Sequence, residues 1–289
     1  PVIEKIIVGD YSVRSGQGLA LWQGFSTGKS ALALDISKTA QGIRPYTSTG
    51  ENRFFRGIAA ALNFKNTRMQ LFFSTKKNDA NLVSDTPEEP SFSSLQSSGY
   101  HRTENETADK NSVKDWNSGL LVSHRFNHLK TGITILYRRF ELPFVRNDQL
   151  YNRFRFRGKI NYVAATHYYL SMGRFRFFGE GAVSKSKGTA VLQGSAVHLH
   201  DRIQVSALFR HYGKTYHALW AAPFANGSSA SNETGFYLGT RILPFKFTTL
   251  TAYTDFFRSP WVKFTTAAPS KGWETMLRAH FDFPGITEF

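Results

Sequence analysis

The feature that most constrains this chain is an alternation of apolar and polar side chains, with a period of two, sustained over about ten residues at a time. In residues 67–76, Met69, Leu71, Phe73 and Thr75 share one face against Arg68, Gln70, Phe72, Ser74 and Lys76. Residues 202–212 set Ile203, Val205, Ala207 and Phe209 against Arg202, Gln204, Ser206 and Arg210. In residues 153–162, Phe154, Phe156, Ile160 and Tyr162 oppose Arg153, Arg155, Arg157, Lys159 and Asn161. A strand points successive side chains to opposite faces, whereas a helix would scatter each set around its circumference. The pattern predicts an all-β chain, with candidate strands at 2–9, 11–24, 52–65, 67–77, 115–127, 130–141, 153–170, 174–184, 188–199, 202–212, 232–242, 245–258 and 271–283. Residues 30–40 come nearest to a helix. Their Ser/Thr content and the following Gly42 make them at most a short loop helix.

These segments are long. Typical soluble strands run about five or six residues, while a tilted strand crossing a bilayer needs about 9–11. No stretch approaches the roughly 20 apolar residues of a membrane helix, so entry into a membrane would be by strands. A mean hydropathy of −0.34 fits that, because only alternate residues of a barrel strand meet lipid. Short links near 65–67, 127–130, 171–173, 200–201 and 243–244 alternate with longer ones at 78–114, 143–152, 213–231 and 259–270; a further short link lies at 185–187. An up-and-down membrane barrel shows that asymmetry. The expected fold is an antiparallel up-and-down transmembrane β-barrel of about 12–14 strands over residues 1–289, a fragment of a larger barrel. Residues 78–114 form a long acidic loop, extracellular or covering the mouth. With 26 Phe, 12 Tyr and 5 Trp, aromatics near strand ends are expected to form interfacial girdles. The candidates are Trp22, Phe25, Phe54, Trp116, Phe140, Phe144, Tyr151, Phe256, Phe257 and Trp261. The alternative is a soluble all-β module binding polysaccharide or nucleic acid, with the same aromatics in a sandwich core or in solvent-facing rows.

A formal charge of +15 points to anionic partners such as nucleic acid, anionic lipid or lipopolysaccharide phosphates. Its distribution discriminates among them. Residues 78–114 carry seven acids against three bases, so the remainder holds +19, scattered through the strands instead of gathered in one tail. Arg153, Arg155, Arg157 and Lys159 on one strand face, with Arg174 and Arg176 across the next turn, are a candidate cationic lumen wall. The structural alternative is a solvated face balanced by Glu180, Asp255 or Glu274. Arg44, Glu51, Arg53, Arg56, Arg102, Glu104 and Glu106 are a candidate loop ion-pair cluster that folds over the mouth.

Other motifs carry less. Gly24 and Gly28 before Lys29 and Ser30 resemble a phosphate-binding loop, but three residues separate the glycines where four are required. His198 and His200 share a strand face beside a turn, with Asp201 as the adjacent carboxylate, and are expected to be surface residues. Cysteine is absent, which excludes disulfides and thiolate metal sites. No G-x-S-x-G nucleophile elbow occurs. The chain is expected not to be an enzyme, and no catalytic residue, cofactor or metal ligand is assigned. Because the chain opens on Pro1 without a signal sequence, it is expected to be a fragment or a processed product.

Several motifs recur in an order resembling one family. They are residues 9–22 (Gly-Asp-Tyr-Ser-Val-Arg-Ser-Gly-Gln-Gly-Leu-Ala-Leu-Trp), 28–30, 42–46, 51–54, 79–82, 98–106, 178–180, 232–235 and 269–272. Together they resemble the barrel region of Bacteroidota envelope proteins with a helix-hairpin-helix (ComEA-like) domain. The resemblance implies a Gram-negative outer-membrane location, lipid and lipopolysaccharide as surroundings, other envelope proteins as partners, and DNA contact only through a domain absent from this chain. The function expected from it is a channel, docking platform or envelope-assembly and transport component. Gly16 and Gly18 within a strand-like segment permit a bulge or a close backbone approach.

Overall fold

The computed structural model describes residues 2–26, 28–48, 50, 53–83, 90–96, 99 and 101–282. Fifteen strands form one sheet: β1 (Ile3–Arg14), β2 (Gly42–Pro45), β3 (Phe55–Phe64), β4 (Thr67–Asn78), β5 (Ala80–Val83), β6 (Ser91–Leu95), β7 (Val113–Phe126), β8 (Leu129–Phe144), β9 (Gly158–Met172), β10 (Phe175–Ser184), β11 (Thr189–His200), β12 (Ile203–Tyr212), β13 (Glu233–Phe245), β14 (Thr248–Ser259) and β15 (Ser270–Phe281). One short helix, α1 (Glu104–Ala108), is closed by a capping box between Thr103 and Glu106. Twelve long strands follow one another as an antiparallel meander from β1 to β15, with β2 added beside β1. Among the described residues β15 pairs with β14 alone, so the sheet is open.

Five of the meander's reversals use two residues each: 65–66, 127–128, 173–174, 201–202 and 246–247. Lys65, Asn127 and Gly173 there adopt φ of 54°, 36° and 56°, the left-handed backbone that tight hairpins require. Five of the six connections at the other end are long, and the sixth spans 185–188. The architecture is the up-and-down transmembrane barrel wall that the alternation predicts. Outward residues are apolar and exposed on strand after strand: Val8 (79%), Ile58 (52%), Phe73 (47%), Ile135, Tyr162, Val191, Phe209, Leu238, Phe256 and Leu277 (76%). Their inward neighbours, among them Tyr11, Phe72, Leu136, Val163, Leu192, Leu208 and Tyr237, form the buried core. An exposed apolar face running along a whole sheet is unfavourable in water and is what hydrocarbon requires.

Three expectations are corrected. The strand assigned to 11–24 ends at Arg14, because Gly16 and Gly18 take φ of 53° and 87° and turn the backbone inward. Residues 30–40 form no helix, within the limit their composition sets, and make a turn at 33–34. The Arg153–Lys159 ladder is not a strand face. Residues 150–152 make a 3-10 turn and β9 begins at Gly158, because Phe156 is drawn into a buried aromatic cluster with Phe92, Phe140 and Phe144. Several proposed girdle aromatics also point inward: Phe140 has the inward parity of β8, and Trp22 and Phe54 are buried at the rim.

The described residues of the 78–114 link, 78–83, 90–96, 99 and 101–114, fold back onto the barrel mouth. Phe92 of β6 pairs beside Phe144 of β8 and stacks on its ring at 4.7 Å, while Asp79 accepts hydrogen bonds from the Asn111 amide and His101. The expected loop cluster assembles only in part. Arg56 pairs with Asp10 at 2.7 Å and Arg102 with Glu106 at 4.0 Å. Arg44 sits exposed on β2, Arg53 lies at the rim and Glu104 opens α1. Glu51 lies outside the described residues.

Candidate functional site: the occupied interior

The concave side of the sheet is filled by two segments of the chain itself, the described residues of 15–41 (15–26 and 28–41) and residues 213–232. The first leaves β1 and crosses the inside. Ser15 bonds Thr134 of β8, the Ala33 carbonyl accepts from Ser206 of β12 and Tyr237 of β13, and Lys29 reaches Asp255 of β14 at 3.1 Å and Glu274 of β15 at 2.6 Å. One loop touching β8, β12, β13, β14 and β15 requires the sheet to wrap around it. The second segment meets the first: the Trp22 amide donates to the Trp220 carbonyl, and the Ala222 amide to that of Gly18, at 2.8 and 3.0 Å.

Two buried charge sites hold these segments. Glu180, on the inward face of β10, accepts from the amides of Gln17 (2.5 Å), Leu19 (3.0 Å) and Ala20 (3.3 Å). Three converging N–H donors compensate a carboxylate far better than one would. The turn that aims them depends on Gly16, where a Cβ would lie 2.6 Å from the Glu180 carboxylate. The second site centres on Arg210 of β12, fully buried, which forks onto both Asp255 oxygens at 2.7 and 2.9 Å and onto Glu233 at 2.6 Å. Glu233 also accepts from the amides of Asn226 and Gly227, and Lys29 donates to the Asn226 side chain at 2.8 Å. Both inward segments are therefore clamped to β12–β15 through one network.

A third buried pair stands near the mouth. Arg138 meets Asp115 at 2.6 Å and lies under the Trp220 ring at 4.7 Å, while the Trp220 indole donates to Asn117. In the inward segment, burial pushes the Lys38 ammonium down to about 8, partly offset by Glu180. Its Nζ donates to Ser26 and the Ala222 carbonyl.

The structure separates the six predicted lumen cations. Arg153, Arg155 and Arg157 lie in the loop before β9, and Lys159 near that strand's start. Arg174 occupies the two-residue turn at the opposite end, and Arg176 beside it bonds His198 at 3.1 Å. Of the acids expected to balance them, Asp255 and Glu274 belong to the Arg210–Lys29 network and Glu180 to the loop clasp. Sequence reasoning named those acids without their partners. The signal was an isolated acid among inward apolar residues, as at Glu180 between Phe178 and Ala182. The glycines of the P-loop-like motif lie in this inward segment, where Lys29 serves the carboxylates.

No protein-family model matches the chain, and no curated protein matches it in sequence. The Bacteroidota resemblance is thus carried by its motifs alone. Among solved structures, the chain is similar to outer-membrane-expressed OmpT of Vibrio cholerae, at 10% identity over 96% of this chain and 76% of that one, with a TM-score of 0.43. It is also similar to a porin of Rhodopseudomonas blastica, at 9% identity over 78% and 76%, with a TM-score of 0.31. The fold class itself rests on the meander, the two-residue turns and the outward apolar belt. The expectation that the chain is not an enzyme is withdrawn: it rested on the missing G-x-S-x-G elbow, and the lack of one motif does not exclude catalysis.

Proposed function

We propose that the chain is an integral outer-membrane β-barrel of a Gram-negative envelope whose lumen is closed by its own residues 15–41 and 213–232. It would serve as a docking or gated transport component instead of a standing pore. The observation that carries this reading is the buried clasp of Glu180 on the Gln17, Leu19 and Ala20 amides. Satisfying a carboxylate so completely stabilises one loop position, which an open channel would not need. The outward belt supports the membrane location, since it continues from β1 to β15 instead of forming one local row as a ligand-binding surface would. The folded-back 78–114 link supports a docking role at the mouth.

Conductance across planar bilayers tests the proposal. The intact protein is expected to conduct little, while Lys29→Met with Asp255→Asn, which loosens the inner segment, opens steps of larger conductance. Steady high conductance from the intact protein, unchanged in the variant, would refute a closed lumen. Heat-modifiable gel mobility checks that each protein is folded.

A further inference from the structure

The outward face of β1, β3, β4, β7 and β8 changes character abruptly along the strand direction. The strand registers place Val8, Ile58, Phe73, Ser118 and Tyr137 in one cross-strand row. Two residues nearer the long loops, about 7 Å along the strands, the next row begins with the pair Asp10 and Arg56 and continues through the cross-strand partners Thr75, Trp116 and Arg139. Beyond it, Lys77 faces Lys114 across the β4–β7 pair. Lys114 lies 5.2 Å and Arg139 5.8 Å from the Trp116 ring. The apolar belt therefore ends here in a cationic and aromatic border.

Above that border opens a pocket of about 940 Å³, walled by residues 46–48 and Gly50, by β4 and by the folded-back 110–114 stretch. Arg56, Lys76, Lys77, Lys110 and Lys114 line it together with His101, against the carboxylates of Asp10 and Asp79. Asp10 is engaged by Arg56 in a bidentate pair, and Asp79 by His101 and the Asn111 amide. With Lys77, Lys110 and Lys114 added, cations outnumber carboxylates in the pocket lining. Phe54, in tilted contact with the Tyr46 ring at 4.9 Å and capped by Lys76 at 3.8 Å, makes its apolar floor.

We infer that this pocket binds the phosphorylated headgroup of an outer-leaflet lipid, with the acyl chains lying down the belt over Ile58 and Phe73. A soluble anion would need the lysines but not the contiguous apolar row beneath them. A phosphorylated glycolipid such as lipid A matches both halves, because phosphates suit converging ammonium groups and the chains suit exposed Val8, Ile58 and Phe73. The inference rests on the membrane reading of the sheet.

Binding of bisphosphoryl lipid A to the detergent-folded protein, followed by native mass spectrometry, tests it. The Lys77→Glu/Lys114→Glu variant is expected to bind about tenfold more weakly or worse, with Lys263→Glu, in the β14–β15 loop, unchanged. Lipid A stripped of its phosphates should bind wild type and variant alike. The milder Lys77→Gln/Lys114→Gln pair carries the test where the charge reversal fails to fold. Equal affinity in wild type and variant overturns the inference, as does displacement of the lipid by equimolar inorganic phosphate, which would mark a soluble-anion site. A protein that binds lipid A yet conducts freely would refute the closed lumen and leave this site standing; a closed protein indifferent to the phosphates would do the reverse.

Discussion

Glu180 on β10 accepts a hydrogen bond from the backbone amide of Gln17, 163 residues earlier in the chain, at 2.5 Å. That contact joins a loop near the start of the chain to the middle of the wall across the interior. With the Leu19 and Ala20 amides it ties the turn at residues 16–20 to one side chain. Replacing Glu180 by Ala leaves three buried donors without their acceptor, at about 1–3 kcal/mol each. Hydrogen–deuterium exchange at residues 17–20 is expected to rise at least tenfold in Glu180→Ala, with Glu180→Gln intermediate and the β11–β12 amides unchanged. Equal protection in all three proteins would show that the clasp does not hold the loop.

The Arg210–Asp255 pair predicts a loss of global stability. Removing one partner of a buried ion pair costs about 3–5 kcal/mol, because the other charge stays buried. In Asp255→Asn, Arg210 keeps Glu233 while Lys29 loses its 3.1 Å partner. Urea unfolding in vesicles should therefore show a loss of about 3 kcal/mol or more. Removing Arg210 and Asp255 together, as Arg210→Met/Asp255→Leu, should cost less than the sum of the single changes. Additive losses would mean that the two residues act independently.

Lys38 predicts a pH dependence. Burial pushes its ammonium from 10.5 down to about 8, so between those values the unfolded chain binds more protons than the folded one, and stability rises with pH through that window. Measured from pH 7 to 10.5, the unfolding midpoint of wild type should climb relative to Lys38→Met, starting near pH 8. Parallel profiles would place the ammonium in water.

Much of the wall was legible in the sequence, because period-two alternation is local and survives without knowledge of partners. Residues 67–76 and 202–212 fell into β4 and β12 nearly as drawn. The failures share one cause. The alternation of residues 153–157 is as regular as any, yet Phe156 finds a better home against Phe140 and Phe144 than in a strand. In 11–24, Gly16 and Gly18 were recognised as permissive, but the inward turn they make is fixed by Glu180, far along the chain. The Arg210–Asp255–Lys29 network joins residues 45 and 226 apart in sequence, and no short-range pattern announces it.

The account stands on outward side chains meeting hydrocarbon while their inward neighbours pack against the chain's own interior. Because the sequence contains no cysteine, single cysteines at positions 190–193 of β11 can carry nitroxide labels with no background. Electron paramagnetic resonance in bilayers then compares relaxation by oxygen with relaxation by a water-soluble nickel chelate. The account predicts that labels at the outward Val191 and Gln193 respond strongly to oxygen and weakly to nickel, and that labels at the inward Ala190 and Leu192 respond little to either. Strong nickel relaxation at 191 and 193 would put that face in water and contradict the membrane wall.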